Sequence, residues 1–456
     1  MTAVDQARPF AAASTATAGA VAPVTGHDET IAKYREFVTT SFVASIEPIV
    51  VDRAEGSYVW DADGTRYVDA FAGIAVNNAG HRHPKVIAAA KAQMDKVVHA
   101  ATYLYHVPIV AETAEKLAAV APGRLTKTFF GNSGAEGIET AMRLAKAATG
   151  RREFISLAQS FHGRTFATLS VTGNKARKTH GGPYMPGVVW APMPYAYRNP
   201  FGTDDPETVA ERCADMIEWA IDFQSSGDVA AFLSETVWGE GGIVVPPASY
   251  FRRVKQILDA HGILFICDEV QSGFGRCGTL FAIEQFGVEP DILVAAKGIA
   301  DGFPLSATIS TPEIADSLKP GEHLSTFGGN PVSCAAASAN IDVMLDEDLP
   351  GQSRVKGERL LGQLQDLAAK HELIGEARGV GLMCGLELVT DKRTKAPAKV
   401  QAAEVKRLCR EAGVIVGVGG QLANVIRIQP PLVISTDDLD HVVEVLDSAL
   451  EQVARA

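Results

Sequence analysis

The sequence lacks an apolar run long enough to cross a membrane, and its basic residues form no cluster. Lys and Arg number 42 against 54 Asp and Glu, which gives a formal net charge of −12. Such a balance makes nucleic acids and anionic membrane surfaces poor partners. We therefore expect a soluble protein whose partners are small molecules.

Cysteine pairs at metal-ligand or redox spacing are also lacking. The six cysteines stand singly, with no CxxC pair and no neighbouring histidine at metal-ligand spacing. We expect reduced thiols, a cytoplasmic location and no metal site. Residues 1–26, rich in Ala, Thr and Pro, lack the basic start and compact apolar core of a signal peptide. A disordered tail is expected there, with a transit peptide as the alternative.

Apolar runs alternate with helical patterns from residue 81 to about residue 335. This alternation is typical of βαβ units around a mostly parallel sheet, so the fold class is α/β, with 81–335 as the large domain. The helices predicted here are "GAEGIETAMRLAKAAT" and "SYFRRVKQILDAHG". The predicted strands are "KTFFGN", "EFISL", "GVVWAP", "VAAFLSE", "GILFICDE" and "DILVAA".

The flanking regions follow a different pattern. Residues 50–71 alternate apolar and polar side chains around "DADGT", which predicts an antiparallel hairpin. Amphipathic helices follow residue 340, together with predicted strands at "RGVGLMCGLEL" and "VIRIQPPLVI". We expect residues 27–80 and 336–456 to form a smaller α+β domain.

Ionisable side chains stand at the ends of two predicted strands. "ILFICDE" ends in Asp268 and Glu269, and "ILVAA" runs into Lys297. Ligands of open α/β sheets bind beyond the carboxyl ends of the strands, so these groups are expected to face one crevice. A third strand turns through Ser133, Gly134 and Ala135 into a helix, whose free amides favour an anion.

A lysine, a buried carboxylate and a phosphate cradle are the parts that hold pyridoxal phosphate. Taken singly, each has a commoner structural explanation. A lysine after a strand usually extends its ammonium into water, an Asp-Glu pair is usually a helix cap or a solvated face, and a glycine turn often binds nothing. Their conjunction in one chain is what indicates the cofactor.

Six separated motifs carry a family resemblance over roughly residues 30–450. They are "GHRHPKV", "NSGAEGIETAMRLA", "FHGRT", "DEVQSGFGRCG", "FGVEPDILVAAKGIADGFP" and "TFGGNP". In content, order and spacing the sequence resembles the class III, fold type I pyridoxal-phosphate-dependent aminotransferases. The resemblance implies a large domain with a mostly parallel sheet, a smaller α+β domain, and pyridoxal 5′-phosphate as the cofactor.

The resemblance also implies roles for individual residues around the cofactor. Lys297 matches the lysine that forms the Schiff base, and Asp268 matches the partner of the pyridinium nitrogen. The remaining cofactor-binding positions that it implies are Gly134, Ala135, Phe161, His162, Val270, Gln271 and Thr326. Many relatives have serine in place of Ala135, so backbone amides are expected to carry more of the phosphate contact here.

Among these positions, Thr326 implies an oligomer, because its counterpart in the family reaches the phosphate of the neighbouring subunit. We therefore expect a homodimer, or a tetramer, with shared active sites.

Substrate choice is expected to depend on Glu240 and Arg427. In the 4-aminobutyrate and ornithine branches, the glutamate neutralises the arginine while an ω-amino substrate is bound and releases it to hold an α-carboxylate. Arg164 matches the position that binds the distal carboxylate of 4-aminobutyrate. Glu235 and Ile74 also match that branch. The alternative for the Glu240–Arg427 pair is a structural ion pair.

The expected reaction is a ping-pong transfer of an amino group from an ω-amino acid such as 4-aminobutyrate to a keto acid such as 2-oxoglutarate. "STPEIADSL" and "TFGGNPVSCA" resemble the alanine–glyoxylate branch instead. Trp238 replaces a usual glutamine, and its indole is expected near the ring, where it could reshape the pocket. Alanine–glyoxylate, acetylornithine or ornithine transamination, and amino-acid racemisation, stay as alternatives.

Overall fold

The structure, a computed structural model, describes residues 26–40 and 46–455. The predicted disordered tail lies outside these residues, apart from Gly26. The helices are α1 (His27–Phe37), α2 (Ala72–Ala75), α3 (Pro84–Met94), α4 (Pro108–Val120), α5 (Gly134–Thr149), α6 (Phe166–Val171), α7 (Pro206–Phe223), α8 (Ser249–His261), α9 (Pro312–Ala315), α10 (Pro331–Asp346), α11 (Leu349–Lys370), α12 (Lys399–Glu411) and α13 (Thr436–Arg455).

Short strands alternate with these helices. They are β1 (Val51–Glu55), β2 (Tyr58–Asp61), β3 (Arg66–Asp69), β4 (Lys127–Gly131), β5 (Glu153–Leu157), β6 (Val188–Ala191), β7 (Val229–Glu235), β8 (Leu264–Asp268), β9 (Ile292–Ala295), β10 (Ser306–Ser310), β11 (Ile374–Val380), β12 (Met383–Asp391), β13 (Ala396–Pro397), β14 (Val414–Ile415), β15 (Gly417–Gly419) and β16 (Val425–Ile428). None of the helices in the described ranges has the length and apolar character needed to span a bilayer.

The described residues divide into two compact units. The first comprises the residues up to Arg53 together with Trp60–Thr65. It contains α1 and the predicted turn at "DADGT", where the amide of Asp61 donates to the carbonyl of Thr65 (3.0 Å) and the Asp61 carboxylate accepts from the Thr65 amide (2.8 Å). The second comprises Ala54–Val59 and Arg66–Ala456.

A seven-stranded sheet forms the centre of the second unit. Its strand order is β4-β10-β9-β8-β7-β5-β6. The strands pair in parallel except β10, which is antiparallel to β4 and β9. All six strands predicted for this region are present, and the α/β prediction is confirmed. The sequence analysis missed β10, because three of the five residues of "SATIS" carry hydroxyl groups and the segment does not stand out as an apolar run.

Helices cover both faces of this sheet, and its central strands β7, β8 and β9 are therefore almost entirely buried. On one face, α5 packs Ile138, Met142 and other apolar residues against side chains such as Phe154 and Val294. The other face holds the larger cluster, to which α7 and α8 contribute. β7 is buried along its whole length, as its continuous apolar sequence predicts.

The C-terminal part forms an antiparallel sheet in the order β11-β12-β16-β15, with β13 beside β12. "RGVGLMCGLEL" is two strands and a turn rather than one strand, since β11 ends at Val380 and β12 begins at Met383. "VIRIQPPLVI" is a strand only as far as Ile428, because proline cannot donate to a ladder and Pro430 and Pro431 follow.

β3 pairs in parallel with β14. A strand that precedes the large sheet in the sequence is thus joined to a strand that follows it. The domain bounds 27–80, 81–335 and 336–456 stay a prediction.

Candidate active site

A cavity of about 340 Å³ lies beyond the carboxyl ends of β7, β8 and β9, where the strand pattern predicted a crevice. Glu235 and Asp268 are opposite each other in the parallel pairing of β7 and β8, so their carboxylates leave neighbouring strands together. The cavity brings together many of the predicted site residues: Gly134, Ala135, Phe161, His162, Glu235, Glu240, Asp268, Val270, Gln271 and Lys297.

Lys297 stands at the floor of this cavity, two residues after β9. Its backbone has a φ of +48°, in the left-handed region, where it begins a 3-10 turn through Ile299. Burial lowers the pKa of Lys297 to about 8, although Asp268 and Glu235 act in the opposite direction. The amine can therefore lose its proton near neutral pH, which nucleophilic attack and proton transfer both require.

Asp268 is held from two sides. Its Oδ2 is 2.7 Å from Nδ1 of His162, and its Oδ1 accepts a hydrogen bond from the Val270 amide at 3.0 Å. Asp268 and His162 are both buried. Nε2 of His162 has no hydrogen-bond partner among the described residues. The carboxylate is thus oriented into the cavity by groups that do not reach solvent.

The N-terminus of α5 lines the cavity at the position where the sequence predicted a phosphate cradle. Ser133 caps the helix by accepting from the Glu136 amide (3.2 Å), and Glu136 accepts in turn from the Asn132 amide (2.9 Å). The amides of Gly134 and Ala135 remain in the free first turn. A Cβ atom on Gly134 would lie 2.8 Å from Cγ1 of Val270, so only glycine fits there without displacing the cavity wall.

Glu235 is buried, and backbone amides engage both of its carboxylate oxygens. The Phe161 amide donates to Oε1 at 2.8 Å and the Gly239 amide donates to Oε2 at 3.0 Å. Burial, reinforced by Asp268, raises the pKa of Glu235 to about 8. These contacts favour a role in which Glu235 positions the Phe161 segment and the Gly239 loop.

Glu240 and Arg427 form the ion pair that the sequence analysis anticipated. Oε2 of Glu240 accepts from Nη1 of Arg427 at 3.0 Å, and Arg427 is 5% exposed. Burial raises the pKa of Glu240, but the charges of Arg427 and Arg177 outweigh this effect and bring that pKa below its usual value. Arg177 also hydrogen-bonds Oε1 of Glu240, with Nε at 3.1 Å. Sequence reasoning missed Arg177, since "GNKARK" carries no motif.

Arg164, Ile74 and Thr326 are absent from the cavity lining formed by the described residues. Arg164 is exposed, with its guanidinium 5.5 Å from the ring centroid of Phe161, which does line the cavity. Ile74 is 46% exposed within α2, a turn whose residues have positive φ, while Val76 takes a place in the lining. Thr326 is exposed.

Trp238, whose effect on the pocket the sequence left open, does not belong to the cavity lining. Its indole is fully buried, with ring centroids 6.1 Å from those of Phe251 and Tyr250. Val237 lines the cavity instead. Successive residues of an extended segment point to opposite sides, so Trp238 faces the core because its neighbour faces the cavity.

Together, the sheet, the lysine, the buried carboxylate and the helix cradle define a pyridoxal-phosphate-dependent enzyme of fold type I. Residues 42–450 match the class-III aminotransferase family. The chain is 39% identical to an alanine–glyoxylate aminotransferase 2 homologue of Arabidopsis thaliana, over 94% of this chain and 89% of the relative. It is 38% identical to a 5-aminovalerate aminotransferase of Pseudomonas aeruginosa, over 94% and 99%.

A solved structure supports the same assignment. An amine transaminase from an uncultivated Pseudomonas species, in its form with bound pyridoxal phosphate, is similar with a TM-score of 0.87. It is 35% identical, with 91% of this chain and 98% of that chain covered. The protein belongs to the class-III aminotransferases and uses pyridoxal phosphate.

Proposed function

We propose that this aminotransferase moves an amino group from an ω-amino acid, such as 4-aminobutyrate, to a keto acid such as 2-oxoglutarate in a ping-pong cycle. The observation that carries the proposal is the Glu240–Arg427 pair beside the cavity. A buried guanidinium that is paired internally can be offered to a carboxylate when one arrives, so one site accepts two kinds of substrate.

Pyridoxal phosphate, when bound, supplies an electron sink that stabilises negative charge at the substrate carbon. Lys297 is proposed as its covalent attachment point through a Schiff base, and as the base and acid that carry the proton. A pKa of about 8 supports both roles, because the amine exchanges its proton close to neutral pH.

The remaining cavity residues are proposed to hold the cofactor. Asp268, oriented by His162, keeps the pyridine nitrogen protonated, because a neighbouring carboxylate raises the pKa of that nitrogen. The amides of Gly134 and Ala135 bind the phosphate at the start of α5. The flanking positions proposed to contact the ring are Phe161, Val270 and Gln271.

For the substrate, Arg164 is proposed to bind the distal carboxylate at the mouth of the cavity. Its guanidinium lies beside the Phe161 ring, and partial desolvation together with the charge of Arg177 lowers its pKa. Ile74 is proposed to contribute apolar contact to the substrate, and Glu235 to contact the substrate from the cavity wall that it lines.

The active enzyme is proposed to be a homodimer, or a tetramer built from dimers, in which Thr326 reaches the partner's cofactor. Exposed apolar side chains support this proposal. Phe327 is 60% exposed, and Leu104, Tyr105 and Phe166 are each more than 60% exposed. A cytoplasmic location is proposed as well, and the burial of all six cysteines as free thiols agrees with it.

A half-reaction screen tests the substrate proposal. The purified holoenzyme is mixed with 4-aminobutyrate, 5-aminovalerate, β-alanine, ornithine, N-acetylornithine or alanine without an acceptor, and the absorbance of the cofactor is followed. Conversion by 4-aminobutyrate or 5-aminovalerate is expected. Conversion by alanine or N-acetylornithine alone would replace the proposal with one of those specificities. Accumulation of a D-amino acid without spectral conversion would establish a racemase.

A further inference from the structure

Glu240 binds two arginines rather than one. Oε2 accepts from Nη1 of Arg427, while Oε1 accepts from Nε and Nη2 of Arg177. The two guanidinium groups therefore use different oxygens of one carboxylate. Breaking one of these contacts does not require breaking the other.

The environments of the two arginines differ. The side chain of Arg427 is 6% exposed and that of Arg177 is 37% exposed, with Glu240 between them at 13%. Nε of Arg427 has no hydrogen-bond acceptor among the described residues, so a donor is already available there. Arg427 thus keeps a donor that Glu240 does not use, whereas Arg177 binds one oxygen of Glu240 through two of its nitrogens.

The backbone segments that carry Arg177 and Glu240 are both held by hydrogen bonds. Arg177 ends a 3-10 turn that is capped by the buried Asn174, whose side chain accepts from the Ala176 amide at 3.0 Å. The carbonyl of Glu240 accepts from the Gly420 amide at 3.1 Å. Any exchange of partners around Glu240 is therefore expected to involve side chains only.

A carboxylate as buried as Glu240 is destabilised when it loses its only partner. We propose that Arg177 is a positioning residue that retains Glu240 whenever Arg427 turns to the α-carboxylate of an amino or keto acid. Arg177 thereby sets the balance between ω-amino and α-amino substrates. This inference rests on the proposed function, because it assumes that Arg427 exchanges Glu240 for a substrate carboxylate.

The test compares two half-reactions of the holoenzyme, one with 4-aminobutyrate and one with L-glutamate, by stopped-flow absorbance. In Arg177→Gln, KM for L-glutamate is expected to rise about tenfold or more, the size associated with one hydrogen bond to a charged group. KM for 4-aminobutyrate should change less than about twofold, because Glu240 then stays on Arg427. Arg177→Lys should recover part of the L-glutamate affinity.

Two controls separate this role from a structural one. Lys178 is the next cation in the chain, but its ammonium packs on Tyr184 and Trp190 at 4.5 and 4.6 Å. Lys178→Gln should leave the ratio of the two KM values unchanged. In a Glu240→Gln background, Arg177→Gln should have no further effect on that ratio, since the carboxylate it retains is gone.

The outcomes distinguish a failure of the proposed function from a failure of the role proposed for Arg177. If wild-type holoenzyme is not converted by any ω-amino acid, the proposed function fails. If wild type reacts with both substrates but Arg177→Gln raises both KM values equally, or acts as strongly in the Glu240→Gln background, the role of Arg177 is overturned while the proposed function stands.

Discussion

The contact between Gly134 and Val270 allows a sharp test of the phosphate cradle. In Gly134→Ala the new Cβ would lie 2.8 Å from Cγ1 and 3.1 Å from Cγ2 of Val270, whereas carbon atoms in contact prefer about 3.5–4 Å. Either Val270 or the first turn of α5 must move by roughly 1 Å. Overpacking of this kind costs about 1–3 kcal/mol.

If the helix turn moves, the phosphate loses its alignment with the amides, and cofactor affinity falls about 5- to 150-fold for that free energy. Absorbance titration of the cofactor-free protein with pyridoxal phosphate measures this change. Gly134→Ala combined with Val270→Ala removes the clash, so the affinity should recover to that of Val270→Ala alone, which lacks only the proposed contact with the ring. Gly362→Ala is the matched control, because no atom lies within 4 Å of its Cβ position. Unchanged affinity in Gly134→Ala, or no recovery in the double variant, would refute the steric argument.

Three further predictions concern Lys297 and Arg164. Lys297→Ala should abolish turnover and the absorption of lysine-bound cofactor, while circular dichroism shows an intact fold; retained activity would contradict the assignment. In cofactor-free protein the pKa of Lys297 is about 8 against an ordinary 10.5, so the folded state binds fewer protons between these values. The free energy of unfolding should therefore rise from pH 8 to 10.5, by at most about 3 kcal/mol, and denaturant titrations of Lys297→Met should lack this rise. Arg164→Ala should lower kcat/KM for 4-aminobutyrate more than kcat/KM for simple amines. Equal losses for both would mean that Arg164 does not bind the distal carboxylate.

Much of the fold follows from local sequence patterns. Strands such as β8 and β9 are apolar runs because both of their faces are covered, and such runs can be recognised without knowledge of their neighbours. β10, which pairs with β4 and β9, was missed because three of its five residues are polar. Its own sequence does not indicate a buried strand.

Around the cavity, too, the location of some side chains could be predicted from the sequence and that of others could not. Lys297, Asp268 and the Ser133–Gly134 turn each follow a recognisable strand, so their common location can be predicted from the rule that strand ends meet at one edge of a sheet. The direction of the Trp238 side chain could not be predicted, because it depends on the bridge between Trp238 and Val244. Arg177 could not be found, since its contact with Glu240 joins residues 63 positions apart.

By itself, the sequence determined the chemistry: a lysine beyond a buried strand, a carboxylate beyond its neighbour and a helix start that favours an anion together indicate a pyridoxal-phosphate enzyme. Only the tertiary structure showed that two arginines share Glu240. The Glu240 carboxylate lies between Arg177 and Arg427, brought together from distant parts of the chain. Local patterns fix strands, turns and caps, but the pairing of buried charges depends on distances that exist only after the chain has folded.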